Sequence, residues 1–172
     1  MGSKVYKYFV EGDCEEKLIN SYKIPPYYYF QAGKVEVFNF IKREISNQRL
    51  IVLNPKTIVF LVYDIDVEET KILEINIKKL KENGNKIYHI QSIRNFEDEL
   101  AYSTNRNIKE LEKSFNSIGI NDLKTNFLHQ TNLDNKLKMM NFDIDKMWSR
   151  VNNVPPFNIY SNEEALKRLK NR

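Results

Sequence analysis

The sequence of 172 residues has few of the residues that define several classes of protein. Its single cysteine, Cys14, excludes an internal disulfide framework and favours a reducing compartment. Five glycines and five prolines are too few for a collagenous or low-complexity chain. No apolar run approaches the roughly 20 residues that a membrane-spanning helix needs. We therefore expect a soluble globular protein, located in the cytoplasm.

Charge of either sign is present in nearly equal amounts. The 27 Lys and Arg residues exceed the 23 Asp and Glu residues by four, which gives a net charge of +4. Affinity for a phosphate backbone depends on clustered cations and not on their total. This excess therefore permits a nucleic-acid partner without requiring one.

Apolar segments alternate between strand-like and helix-like periodicity over the first part of the chain. Strands are predicted at residues 4–10, 27–30, 57–63 and 86–90, and helices at residues 15–22, 35–46 and 68–83. The continuous apolar run at 57–63 is typical of a strand that is covered on both faces. This order predicts an α/β fold with a mainly parallel, Rossmann-like four-stranded sheet flanked by helices.

The chain changes character near residue 100. Residues 96–148 are polar with helical periodicity, and residues 161–172 predict a short terminal helix that is capped by Ser161. We therefore predict an α/β domain over residues 1–100 and a helical C-terminal extension over residues 101–172 that packs on it.

Acidic residues concentrate where the predicted strands end. Glu11 follows the first strand and Glu15 lies four residues later, whereas Asp64 and Asp66 follow the buried strand. Glu97 comes shortly after the fourth strand. Ligands bind at the carboxyl ends of strands in such sheets, and a carboxylate cluster there is costly unless a cation neutralises it. Oxygen ligands without Cys or His favour Mg²⁺ or Mn²⁺.

These segments resemble the Toprim family. Residues 9–15, a strand followed by Glu-Gly and a second acid, resemble its first motif, and residues 60–66 resemble its strand-Asp-x-Asp motif. Residues 29–34 resemble the intervening strand with its glycine turn, and residues 92–97 resemble the segment after the fourth strand of nuclease-like members. The resemblance covers about residues 4–100 and is strongest to the small nuclease and phage-defence branch, which includes the Toprim domain of OLD-family nucleases.

The resemblance implies a Mg²⁺-dependent nuclease that hydrolyses phosphodiester bonds of RNA or DNA, in phage defence or RNA processing. Glu11, Asp64 and Asp66 would be catalytic, with Glu11 either a metal ligand or the general acid/base. The implied metal ligands are Glu11, Glu15, Asp64, Asp66 and Glu97. A cationic side chain should stabilise charge on the phosphate, for which Lys34, Arg94 and Lys124 are candidates.

Two other functions fit the same residues. The first is a non-catalytic module of this fold that binds nucleic acid or pairs with an ATPase, in which the acids are vestigial. The second is a haloacid-dehalogenase-like phosphatase with Asp64 as the nucleophile and Asp66 as the acid/base. That family places its Asp-x-Asp after the first strand, whereas here the motif follows a later one. Asp64 and Asp66 could also simply end a strand and cap the next helix.

Overall fold

The computed structural model describes residues 4–66 and 70–169. Its four strands form one sheet in the order β2-β1-β3-β4, and every neighbouring pair is parallel. The strands are Tyr6–Val10 (β1), Gly33–Val37 (β2), Ile58–Asp64 (β3) and Lys86–Ser92 (β4). Helices flank this sheet, so the predicted Rossmann-like α/β fold is confirmed.

Eight α-helices and one short 3₁₀ helix lie within the described residues. The helices are Asp13–Tyr22 (α1), Asn47–Ile51 (α2), Lys71–Glu82 (α3), Phe96–Ser103 (α4), Ile108–Ser114 (α5), Ile120–His129 (α6), Leu133–Met139 (α7) and Asn162–Leu169 (α8), with the 3₁₀ helix at Phe157–Ile159. The predicted terminal helix extends to residue 172, and residues 170–172 lie outside the described part. Across residues 4–66 and 70–169, every helix is too short or too polar to cross a bilayer.

The sheet is covered on both faces because its strands alternate their side chains between two cores. Tyr8, Val10 and their neighbours in β3 and β4 contribute to one core, together with buried residues of α1 and of α4 to α8. Phe9, Leu61 and Tyr63 contribute to the other core, together with α3 and the segment that precedes β3. Successive side chains of a strand point to opposite faces, which explains this division.

The first core runs through the boundary that the sequence predicts at residue 100. Val10 and Leu18 of the α/β part share this core with Phe127, Trp148 and Leu169 of the extension. The segment that follows residue 100 is therefore packed against the sheet layer, and the predicted boundary does not separate two hydrophobic cores.

Residues 27–46 differ from the sequence prediction. The predicted strand at 27–30 is wrong, because residues 25–27 form a turn and Tyr28 has a φ of +42°, which a strand does not allow. The second strand begins instead at Gly33, beside Tyr6 of β1. A Cβ at Gly33 would lie 2.6 Å from the Tyr6 carbonyl oxygen, so glycine permits the close approach of the two strands.

The predicted helix at 35–46 is also wrong. Its apolar residues mimic helical spacing, but residues 38–46 form a loop that is held by the buried side chain of Asn76 in α3. The Asn76 Oδ1 accepts a hydrogen bond from the Ile45 N–H at 2.7 Å, and its Nδ2 donates to the carbonyls of Phe40 and Arg43, both at 2.8 Å. One tertiary side chain thus satisfies backbone groups that a helix would have paired locally.

Candidate active site

The strand order creates a topological switch point between β1 and β3. From β1 the chain crosses to β2 on one side of the sheet, and it then returns to β3 and β4 on the other. In doubly wound sheets of this order, ligands bind outside the carboxyl ends of these two central strands. Glu11 directly follows β1, and Asp64 is the last residue of β3.

The Glu11 side chain bridges three segments at this point. Its Oε2 accepts a hydrogen bond from the Asp64 N–H at 3.0 Å, and its Oε1 accepts one from Asn39 Nδ2 at 2.7 Å. The Glu11 N–H in turn donates to the Val62 carbonyl at 3.0 Å. The first and third predicted strands therefore bring Glu11 and Asp64 into contact across 53 positions of sequence.

Four of the five carboxylates that the sequence singles out line one pocket of about 190 Å³. They come from separate elements: Glu11 follows β1, Glu15 lies in the first turn of α1, Asp64 ends β3 and Glu97 lies in the first turn of α4. Lys124 of α6 lines the same pocket. The extension therefore contributes a cation, together with the apolar Leu128 of the same helix, to a site whose acids all come from the α/β part.

Glu15 and Glu97 are the most deeply buried of these four acids. Each residue is only 3% exposed to solvent. Gly12 leaves room for Glu15, because a Cβ at Gly12 would lie 3.1 Å from the Glu15 Oε2. The backbone of Gly12 is extended, so the requirement for glycine here is one of space and not of conformation.

Burial and mutual repulsion raise the pKa values of the central acids. Burial raises the pKa of Asp64 to about 8, and the charges of Glu15 and Glu11 add to this effect, whereas a hydrogen bond from Ser92 opposes it. Burial also raises the pKa of Glu15 to about 7, against the opposing hydrogen bond of its own backbone. At neutral pH these carboxyls therefore retain protons that exposed acids would have lost.

Cys14 lies in the same pocket but is not a candidate nucleophile. Burial raises the pKa of its thiol to about 12, and the neighbouring Glu15 and Glu97 reinforce the increase. Because the thiolate is the reactive form, this side chain is inert at neutral pH.

One carboxylate oxygen in the pocket, the Asp64 Oδ1, accepts no hydrogen bond from the described residues. The Glu97 Oε1 instead faces the ammonium of Lys124, whose Nζ lies 3.3 Å away. A buried carboxylate oxygen without a donor is a ligand that a hard divalent cation accepts. The chemistry of this donor set therefore fits Mg²⁺ or Mn²⁺.

The positions of the described carboxylates in the pocket, unlike their chemistry, do not form a ready-made metal site. Within residues 4–66 and 70–169, no group of three or more His, Cys, Asp or Glu side chains is arranged to hold a metal ion. Both Glu11 oxygens accept protein hydrogen bonds, and Glu97 faces an ammonium group. Binding of a divalent ion would therefore require some of these side chains to exchange partners.

Three of the residues that the sequence predicts lie outside the pocket. Asp66 is exposed and does not line it, although Asp64 does. Lys34 is the second residue of β2 and lies opposite Lys7 of β1 in the strand register, near the amino end of the sheet. Glu11 lies at the other end, so the position of Lys34 does not support a role in phosphate binding. Arg94 follows β4 and so lies at the same end of the sheet as Glu11. Its side chain is 81% exposed, however, and its guanidinium lies 4.0 Å from the Asp98 carboxylate.

Asn39 is a site residue that the sequence did not reveal. It lies in the turn after β2, where its Oδ1 accepts hydrogen bonds from the N–H groups of Ile41 and Lys42, while its Nδ2 holds Glu11. The wrong helix prediction over 35–46 concealed it. Correct placement of β2 would have indicated it, because residues that follow β2 lie on the same rim as Glu11.

No family model, no curated protein and no solved structure matches this chain. The fold itself defines a Rossmann-like α/β protein with an acidic pocket at its switch point.

Proposed function

We propose that this protein is a Toprim-like, Mg²⁺- or Mn²⁺-dependent phosphodiesterase that acts on RNA or DNA. The observation that carries the proposal is the convergence of Glu11, Glu15, Asp64 and Glu97 on one pocket at the switch point. Within the described residues, the Asp64 Oδ1 has no hydrogen-bond donor and the Glu97 Oε1 already faces the ammonium of Lys124, so the pocket favours positive charge.

The residues divide into two roles under this proposal. Glu15, Asp64 and Glu97 would hold the ion, which would supply the positive charge that phosphoryl transfer requires. Glu11 positions Asp64, because its carboxylate receives the Asp64 N–H and is itself fixed by Asn39. Its carboxylate is also the candidate acceptor for a proton from the attacking water.

Lys124 is the phosphate-binding candidate that the geometry favours. Its side chain is 48% exposed and lies at the pocket, whereas Lys34 is at the opposite rim and Arg94 points to Asp98. An ammonium group at this position can contact an incoming phosphodiester and stabilise its developing charge.

The test is cleavage of labelled RNA and DNA oligonucleotides with Mg²⁺, Mn²⁺ or EDTA. Asp64→Asn is expected to lower metal-dependent cleavage by at least 100-fold. Asp143→Asn is the matched control, since Asp143 begins a second Asp-x-Asp sequence outside the pocket and accepts a hydrogen bond from the Asp145 N–H. Equal cleavage activity of Asp64→Asn and wild type would show that Asp64 is not a metal ligand of a phosphodiesterase.

A non-catalytic module is the second candidate. Two observations favour it: the described residues offer no group of three metal ligands, and both Glu11 oxygens already accept protein hydrogen bonds. Such a module would bind nucleic acid or pair with an ATPase. Calorimetric titration with Mn²⁺ distinguishes the two, because a vestigial pocket should bind the ion no more tightly than an exposed pair of carboxylates.

The phosphatase alternative requires Asp64 and Asp66 to act in one pocket. Asp66 is exposed and lies outside it, so the geometry does not favour this function. Trapping of an aspartyl-phosphate mimic on Asp64 would be the result that supports it.

A further inference from the structure

Lys124 reaches the acidic pocket from α6, which lies beyond the region that resembles Toprim proteins. Its Nζ is 3.3 Å from the Glu97 Oε1. The Glu97 side chain is 4% exposed, whereas that of Lys124 is 48% exposed. Glu97 is therefore fixed in the interior, whereas Lys124 has a flexible four-carbon side chain that reaches solvent.

Lys124 also supplies positive charge to a pocket that several acids line. Of the residues that line it within 4–66 and 70–169, Lys124 alone carries a positive charge. The charge of Glu97 and its hydrogen bond with Lys124 raise the pKa of Lys124 against the effect of its partial burial, so the ammonium form is favoured. Removal of this charge would leave Glu97 buried without a partner of opposite sign, which is costly.

A divalent ion would compete with this ammonium group. The buried Glu97 Oε1 already attracts one cation, the Lys124 ammonium, and a carboxylate oxygen is equally a ligand for a hard divalent ion. A second cation that binds Glu97 would be repelled by an ammonium 3.3 Å away from the same oxygen. Both cations therefore cannot occupy their preferred positions at once.

We propose that Lys124 is a tethered counter-cation that pairs with Glu97 when no divalent ion is bound and is displaced towards solvent when one binds. This inference rests on the metal site of the proposed function. Rotation of the exposed Lys124 stem is sufficient for the exchange, and α6 need not move. The displaced ammonium would then lie at the mouth of the pocket, where a phosphate would approach.

The experiment is calorimetric titration of the full chain with Mn²⁺ alone. Lys124→Met, which removes the charge and keeps the length, is expected to bind Mn²⁺ about tenfold more tightly than wild type. Lys124→Arg should bind with an affinity within threefold of wild type, because it keeps the charge. Lys138→Met is the matched control, since Lys138 is exposed on α7 and forms no ion pair within the described part of the chain.

A second measurement reports on the counter-cation without any metal. In EDTA, Lys124→Met is expected to have a lower Tm than Lys138→Met, because Glu97 loses its partner. Addition of Mn²⁺ should then raise the Tm of Lys124→Met by more than it raises that of wild type.

The possible outcomes separate this inference from the function on which it rests. Equal Mn²⁺ affinity of wild type and Lys124→Met, both tighter than Asp64→Asn, would overturn the displacement and leave the metal site intact. Binding of wild type and Lys124→Met no tighter than that of Asp64→Asn would overturn the metal site and the displacement together. Tighter binding by Lys124→Met alone, with Lys124→Arg like wild type, supports both.

Discussion

The carboxylate of Glu11 accepts a hydrogen bond from the backbone N–H of Asp64 at 3.0 Å. This bond ties the residue after β1 to the last residue of β3, at the point where the sheet changes its winding direction. It does not depend on the ionisation of Asp64, because the donor is a backbone group. Glu11 therefore fixes the position of the Asp64 backbone, whereas burial, reinforced by the charges of Glu15 and Glu11, raises the pKa of the Asp64 carboxyl.

Stability should fall as the pH rises, because the pKa of Asp64 is about 8 in the folded protein against an ordinary value of 3.8. Between these values the folded protein retains a proton that the unfolded chain has lost, so the free energy of unfolding decreases from about pH 4 to about pH 8. Asp64→Asn removes this ionisation and should be stabilised relative to wild type by about 3 to 4 kcal/mol more at pH 8 than at pH 5. Urea unfolding in EDTA measures this difference.

Asp66→Asn is the control for that measurement, since Asp66 is two positions away and exposed. It is expected to keep the pH dependence of wild type. A wild-type stability that is constant from pH 5 to pH 8 would contradict the burial of Asp64 among other acids.

Exchange of donor and acceptor between Asn39 and Glu11 should preserve their contact. Asn39→Asp alone places a carboxylate oxygen against the Glu11 Oε1, where Asn39 Nδ2 now donates at 2.7 Å, and is expected to cost about 2 kcal/mol of stability. In the double variant Asn39→Asp with Glu11→Gln, the new amide at position 11 donates to the new carboxylate at position 39. The hydrogen bond is thus restored in the opposite direction, and most of the lost stability should be recovered. Unfolding of the four members of this double-mutant cycle measures the coupling.

The same cycle separates structure from function. Glu11→Gln keeps an oxygen that can accept the Asp64 N–H but removes the carboxylate, so the double variant should be folded and inactive in the cleavage assay. Additive losses of stability in the double variant would show that Asn39 and Glu11 do not interact as described.

Gly12→Ala should displace Glu15, because its Cβ would lie 3.1 Å from the Glu15 Oε2. The expected cost is about 1 kcal/mol of stability, since the extended backbone of Gly12 itself accepts alanine. In a Glu15→Ala background the obstructing oxygen is absent, and Gly12→Ala should then be neutral or slightly stabilising. Chemical unfolding of both pairs tests this, and an equal cost in the two backgrounds would show that the strain lies elsewhere.

β-Branched and aromatic residues made three of the four strands predictable. β3 is a continuous apolar run, and β1 and β4 are rich in such residues although Lys7 and His89 interrupt them, so their approximate extents follow from the sequence. β2 was misplaced because Gly33 begins the strand instead of ending one. The loop that follows was mistaken for a helix because its stabilising partner, Asn76, is 31 positions away from Ile45.

The sequence by itself determined that Glu11 and Asp64 each end an apolar strand, and hence that both lie on one rim of a parallel sheet. Only the tertiary structure decided which other side chains join them, because that depends on strand order and on how distant helices pack. It brought Asn39 and Lys124 to the rim, left Asp66 in solvent and placed Lys34 at the far end. Local periodicity is fixed by neighbouring residues, whereas these contacts join segments that are far apart along the chain.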